Sequence, residues 1–285
     1  MNIRGQAAIV GIAELPTQQQ YQGRSSLSLL TEAAHLAIMD AGLRKEDIDG
    51  LITYQDGPAP LDLTEYMGLS LGYIEGMAVM GASGAHSIAV ASMAVATGLA
   101  NYVVCVFGGT LDPEAGATRG GGAPRASKTS EFQDPYGPVI AANGWYALLK
   151  QRHMYEFGTK DEQFAKMAVN QRFNALNSEN AVFKGKPISL EDVLNSRMIC
   201  DPLHMLECVM PCAGAGAVVI TSAERAKSLR NSPVYVLGIG ASASDHDLIW
   251  QSPRMTTSPA ARTARKAYEM SGYGPKDVQL AEFYD

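Results

Sequence analysis

Cysteine is scarce in this 285-residue chain: Cys105, Cys200, Cys208 and Cys212 are all it has. Their spacings fit no zinc ligand set, so no metal ligands are assigned. Cys105 and Cys208 stand in apolar stretches, where a thiol packs as a small hydrophobe. Basic charge is also short, with 23 Lys and Arg against 29 Asp and Glu, and no basic stripe interrupts the net charge of −6. This balance excludes a nucleic-acid or anionic-membrane surface while leaving room for a local basic pocket that meets phosphates. No apolar run approaches the length of a bilayer span. Met1 to Pro16 holds a short apolar run, Ala8–Ile12, but lacks the layout of a signal peptide. These absences predict a cytoplasmic protein. What is present, 46% hydrophobic residues with 28 glycines and 14 prolines spread between periodic segments, predicts a globular chain with a sizeable core.

An internal repeat organises the chain. The strand-like run Ala8–Ile12 leads to a helix from Ser25 or Ser26, with an apolar stripe at Leu27, Leu30, Ala34, Ile38 and Ala41 and an end at Gly42. Asp47-Ile48-Asp49 then introduces a strand, Gly50 to Tyr54. From Val234 the order returns: Val236–Ile239 as a strand, a helix carrying Ala260, Ala264, Ala267 and Tyr268, closure at Gly272, then Leu280 to Tyr284 as a strand. At an offset of 230, Gly42 meets Gly272, Asp47 meets Asp277 and Tyr54 meets Tyr284. The first copy continues through a strand at Gly76–Met80, a helix from Ser83 to Gly98 and a strand at Tyr102–Phe107. That helix is small and apolar nearly all round, which predicts burial in the middle of the domain.

Residues 111–144 are rich in Gly, Pro, Ser and Thr, and precede predicted helices at Trp145–Phe157, at Lys160–Ala175 behind a capping box of Thr159 and Glu162, and from Ser189. Gly214–Thr221 reads as a buried strand returning to the first sheet. The organisation is thus 1–110 with 211–230 as one half, 111–210 as an insertion, and 231–285 as the start of a second half. That second copy stops about 50 residues short of the first, which predicts a further C-terminal part.

Two α/β halves, a long insertion after the first and a small-residue middle helix resemble the thiolase superfamily, in particular its SCP2-thiolase and lipid-transfer-protein branch. The resemblance covers essentially the whole chain and is most specific at Ala34–Asp49, Gly81–Gly109, Ser189–Leu203 and Ala281–Asp285. It implies the thiolase fold, an α/β architecture of two related βαβαβαββ halves with mixed sheets and a loop-domain insertion, the second half incomplete here. Thiolases place a nucleophilic cysteine at the start of the middle helix, where free amides and the helix dipole favour a thiolate. With Gly84 on the glycine of that Cys-x-x-Gly setting, Gly81 stands in the cysteine's place. At Ala281–Asp285, Tyr284 occupies the position of the Asn or His that polarises a thioester carbonyl. A phenol there can donate a hydrogen bond to an enolate or take part in proton transfer.

Gly for Cys together with this tyrosine looks like the Ltp2-type aldolases of steroid side-chain degradation. The resemblance implies retro-aldol cleavage of a β-hydroxyacyl-CoA, a homodimer, and a DUF35 partner (zinc ribbon plus OB-fold) completing a heterotetramer. It implies no cofactor held by the chain, coenzyme A being part of the substrate. Catalytic candidates are Tyr284 and His86; candidates for binding the CoA thioester are Gly81 and Ser83, through amides at the helix start, and Arg125, Lys128 and Arg152, through phosphates. Each has a blander reading: Tyr284 as a strand aromatic like Tyr54, His86 as a buried histidine bonded to a carbonyl, Gly81 as a packing glycine, the basic residues as solvated surface charge. Two rival functions stay open, a non-catalytic acyl-CoA or lipid-binding subunit and a thiolase whose cysteine comes from a partner.

Overall fold

The computed structural model describes residues 3–54, 59–110, 141–244 and 252–283. By internal contacts the chain divides into two units, one of residues 1–112, 212–242 and 260–285, the other of 113–211 and 243–259.

The first unit is built on a six-stranded mixed sheet in the order β3-β2-β4-β7-β1-β8. Its strands are β1 (Ala7–Glu14), β2 (Gly50–Tyr54), β3 (Tyr73–Met77), β4 (Tyr102–Gly109), β7 (Gly214–Ser222) and β8 (Val234–Tyr235). β2 runs parallel to β3 and β4, and β7, which returns from the insertion, lies antiparallel between β4 and β1. Helices α1 (Ser26–Asp40) and α2 (Pro60–Met67) cover one face, burying Leu29, Leu30, Ile38, Leu51 and Leu63. α3 (Ser83–Thr97) packs on the other face over Ile52, Val103, Cys105 and Ile220. α1 begins where the sequence placed it, with the Ser25 hydroxyl accepting from the Ser28 amide at 3.1 Å. It lies close on β1 because Gly11 has no side chain: a Cβ there would come within 2.3 Å of the Ala37 carbonyl oxygen.

Three features differ from the sequence reading. β3 sits at Tyr73–Met77, three residues before the predicted strand, and Met80–Ala82 form a 3-10 turn instead. α3 is buried on one face, through Ser83, Ser87, Ala91 and Val95, while Ala85, Met93 and Thr97 are exposed. The described residues set a sheet against one side of it, so its small side chains do not imply burial all round. In the second copy, only Val234–Tyr235 joins a ladder, and 236–239 and 280–283 are not strands. Val236 still meets the start of β1, its amide donating to the Ala7 carbonyl at 3.0 Å, but strand conformation needs a continued hydrogen-bonded neighbour, and no described strand pairs with 237–239 or 280–283.

The second unit holds α4 (Ala141–Phe157), α5 (Asp161–Leu176), α6 (Leu190–Leu194) and a small hairpin of β5 (Met198–Cys200) and β6 (Leu203–His204). α5 starts one residue later than the predicted capping box, with the Gln163 side chain accepting from the Lys160 amide at 2.8 Å. At the centre of this unit Lys150, 4% exposed, donates to Glu207 at 2.7 Å and to the Pro202 carbonyl at 2.8 Å, with Asp161 3.0 Å away. α7 (Ala223–Ala226) and α8 (Ala260–Ser271) belong to the first unit. No helix among the described residues is long and apolar enough to cross a membrane.

Candidate active site

The strand directions gather several chain ends at one edge of the first unit's sheet. β1, β2, β3 and β4 all point the same way, so Glu14, Tyr54, Met77 and Gly109 close on a common rim. α1 opens on that rim, because the Ser26 hydroxyl takes the Thr110 amide at 3.0 Å. α3 opens there too, six residues after β3 ends. In α/β sheets this carboxyl edge is where ligands bind, since helix N-termini converge on it with free amides.

At the start of α3 the turn Met80–Ala82 presents Gly81 exposed to solvent. Ser83 is buried, and its hydroxyl accepts from the Val79 amide at 3.1 Å, pinning the turn to the helix. The N-cap residue, Ala82, has no side-chain oxygen to satisfy the first amides. His86 is half-buried on the first turn of α3, with no hydrogen-bond partner among the described residues. The rim also carries a cavity of about 350 Å³ between the strand ends, lined by Glu14, Phe107, Cys212 and the glycines 108, 214 and 216. Glu14 and Cys212 escape a reading of the sequence, since the end of β1 and the approach to β7 meet only through the antiparallel register.

No thiol near this rim is set up as a nucleophile. Cys105 lies on β4 beneath α3, 1% exposed, with its sulfur 3.8 Å from the Ser87 carbonyl oxygen, and burial pushes the thiol up to about 12. Burial also raises the thiol of Cys212. Such groups are inert thiols near neutral pH.

Arg152 belongs to α4 in the second unit, and its guanidinium is engaged by Glu156 at 2.7 Å and lies 5.4 Å over the Tyr155 ring. Tyr284, Arg125 and Lys128 lie outside the described residues. Among the described residues no group of three or more His, Cys, Asp or Glu side chains is placed to hold a metal ion.

Comparison with known proteins fits this fold. Residues 241–285 match the family described as thiolase C-terminal domain-like. The chain is 33% identical to the steroid side-chain-cleaving aldolase of Thermomonospora curvata, over 99% of this chain and 74% of that protein. It is also 33% identical to the 17-hydroxy-3-oxo-4-pregnene-20-carboxyl-CoA lyase of Mycobacterium tuberculosis, over 99% of this chain and 76% of that one. Among solved structures, the Ltp2-ChsH2(DUF35) aldolase superposes with a TM-score of 0.86 at 32% identity, covering 98% of this chain and 72% of its own. The chain therefore belongs to the thiolase superfamily, in the branch of the Ltp2-type side-chain-cleaving aldolases.

Proposed function

We propose that this protein cleaves a β-hydroxyacyl-CoA with a bulky, steroidal side chain by a retro-aldol reaction, releasing a ketone and a shorter acyl-CoA. The observation that carries the reading is 33% identity over 99% of this chain to an aldolase and a lyase of this kind, in a chain that has Gly81 in the turn before α3 and a fully buried thiol, Cys105, beneath that helix. The reaction needs no nucleophile. A base takes the proton of the β-hydroxyl, the bond between the α and β carbons breaks as the ketone forms, and the electron pair enters the thioester as an enolate. An acid then protonates the α carbon. Backbone amides at the Gly81–Ser83 turn are suited to the enolate oxygen, because they are directional donors at a helix start. Tyr284 is assigned to the proton transfers and His86, unpartnered on the same helix, to a contact with the substrate. Arg125 and Lys128 are assigned to the CoA phosphates; Arg152 is the weaker candidate, since reaching a phosphate means leaving Glu156.

The same reading gives the protein a DUF35 subunit as partner, by analogy with the aldolase complex it resembles, and a second copy of itself across the open edge of β3. It places the protein in the cytoplasm, where four unbridged thiols persist.

The test is ketone release from a β-hydroxyacyl-CoA by the protein co-expressed with its DUF35 partner. Tyr284→Phe should lower kcat by at least about 100-fold with folding intact, the usual weight of a general acid or base. Gly81→Cys should gain no thiolase activity. Parent-like turnover by Tyr284→Phe removes that residue from the mechanism; acyl-CoA binding without cleavage by the parent leaves the binding-subunit reading in its place.

A further inference from the structure

Helix α4 carries ionic contacts at two depths. The inner contact is Lys150, enclosed by Glu207, Asp161 and the Pro202 carbonyl. The outer one is Glu156. Its Oε1 receives Nε and a terminal nitrogen of Arg152, each at 2.7 Å, and its Oε2 receives the hydroxyl of Thr256 at 2.7 Å. Thr256 belongs to residues 243–259, which join the second unit although the chain on either side, up to Ser242 and from Ala260, belongs to the first. Within that segment the Thr257 amide donates to the Arg254 carbonyl at 3.1 Å and the Ser252 hydroxyl to the same oxygen at 3.2 Å, forming a compact turn.

We propose that Glu156 is a charge latch for this turn: ionised and held in place by Arg152, it fastens Thr256 to α4, and removing or screening its charge frees residues 252–257 while α4 stays folded. A hydroxyl bonds a carboxylate about twice as strongly as it bonds a neutral acceptor, and Arg152 has already fixed the acceptor's position. The groups acting on Glu156 are Thr256 from the turn and Arg152 and His153 from α4. The Thr256 bond first, then Arg152, holds this carboxyl below the usual range. A group depressed in this way contributes its stabilisation at neutral pH and loses it as pH falls through the lowered value. The latch is therefore closed at neutral pH and opens in acid.

Hydrogen exchange of the full chain at fixed neutral pH tests this, read on peptides covering 252–259 and, separately, α4. Thr256→Val removes the donor, and Glu156→Gln keeps an acceptor but removes the charge. In both, exchange at 252–259 should accelerate by roughly fivefold, the upper weight of an exposed charged contact. Thr256→Ser should behave like the parent. About 1 M salt, which screens charges beyond about 3 Å, should move the parent part of the way. In every case α4 should keep its protection. Unchanged exchange at 252–259 in Thr256→Val, or equal acceleration across α4, overturns the latch.

Discussion

Lys150 shows how a single residue can organise a unit whose buried hydrophobic side chains, among the described residues, are only Ala147, Ala165 and Val193. Its ammonium is 4% exposed and the Glu207 carboxylate 7% exposed, so each is out of water and each needs the other. Lys150→Met should destabilise the second unit by about 3 kcal/mol or more, because it strands a buried carboxylate, and urea titration should show it. Adding Glu207→Leu should restore part of the loss, since an apolar pair of similar size removes both charges. The sequence alone could not single out Lys150: its partners, Asp161 and Glu207, lie on other elements, and a lysine on a helix reads as solvated charge. A glycine, Gly81, just ahead of α3 was legible, because helix starts are local in sequence. His86 was legible as a position, but its lack of a partner was not, since that depends on what surrounds α3. The rim cavity at Glu14 and Cys212 was not legible either, since it depends on strand register.

At the scale of elements, the repeat is visible in how each helix lies on the run before it. In the first copy a Cβ on Gly11 would meet the Ala37 carbonyl oxygen at 2.3 Å, and in the second a Cβ on Gly238 would meet that of Ala267 at 2.2 Å. The alanines are 230 apart (267 − 37) and the glycines 227 (238 − 11), so the connecting loop is three residues longer in the second copy. Gly11→Ala should therefore cost about 3 kcal/mol by pushing α1 off β1. Gly216→Ala, whose new Cβ meets only the Ala13 carbonyl at 3.6 Å, should change stability by less than about 1 kcal/mol in the same thermal melts. Helix starts are equally local. Asp192 accepts from the Ser189 amide and hydroxyl, which hold its carboxyl below the usual range, and Asp47 is held low first by the Arg44 amide. Both caps thus act above the ordinary aspartate range and are lost as pH falls through the lowered values. NMR of the carboxyl carbons should find both midpoints low, with that of Asp192 rising in Ser189→Ala. Caps and helix stripes were readable because their causes lie within a few residues. β3 was misplaced by three residues because a parallel strand is fixed by its partner, here the register Gly50 to Tyr73 through Tyr54 to Met77.

For the whole molecule, the question left by the sheet order is what becomes of β3. Among the described residues it is the outermost strand, bonded to β2 on one side, and its five residues, Tyr73–Met77, have no described strand on the other. Folded proteins rarely leave such an edge bare, because it pairs with any strand that reaches it. At the opposite end β8 has two residues and offers no comparable edge. Glu75 and Ile74 are exposed on β3, and a lone Glu does little to discourage pairing when an apolar neighbour of 39% exposure stands beside it. The proposed homodimer uses this edge, two copies of β3 meeting antiparallel about a two-fold axis, which satisfies both edges at once. Ile74→Lys puts an added charge from each copy into that seam at a position 39% exposed in the single chain. Sedimentation should then show a shift from dimer to monomer at micromolar concentration, while far-UV circular dichroism and the thermal midpoint of the isolated chain stay within a few degrees of the parent. If the parent is already a monomer, or if Ile74→Lys remains a dimer, the copies do not meet at β3.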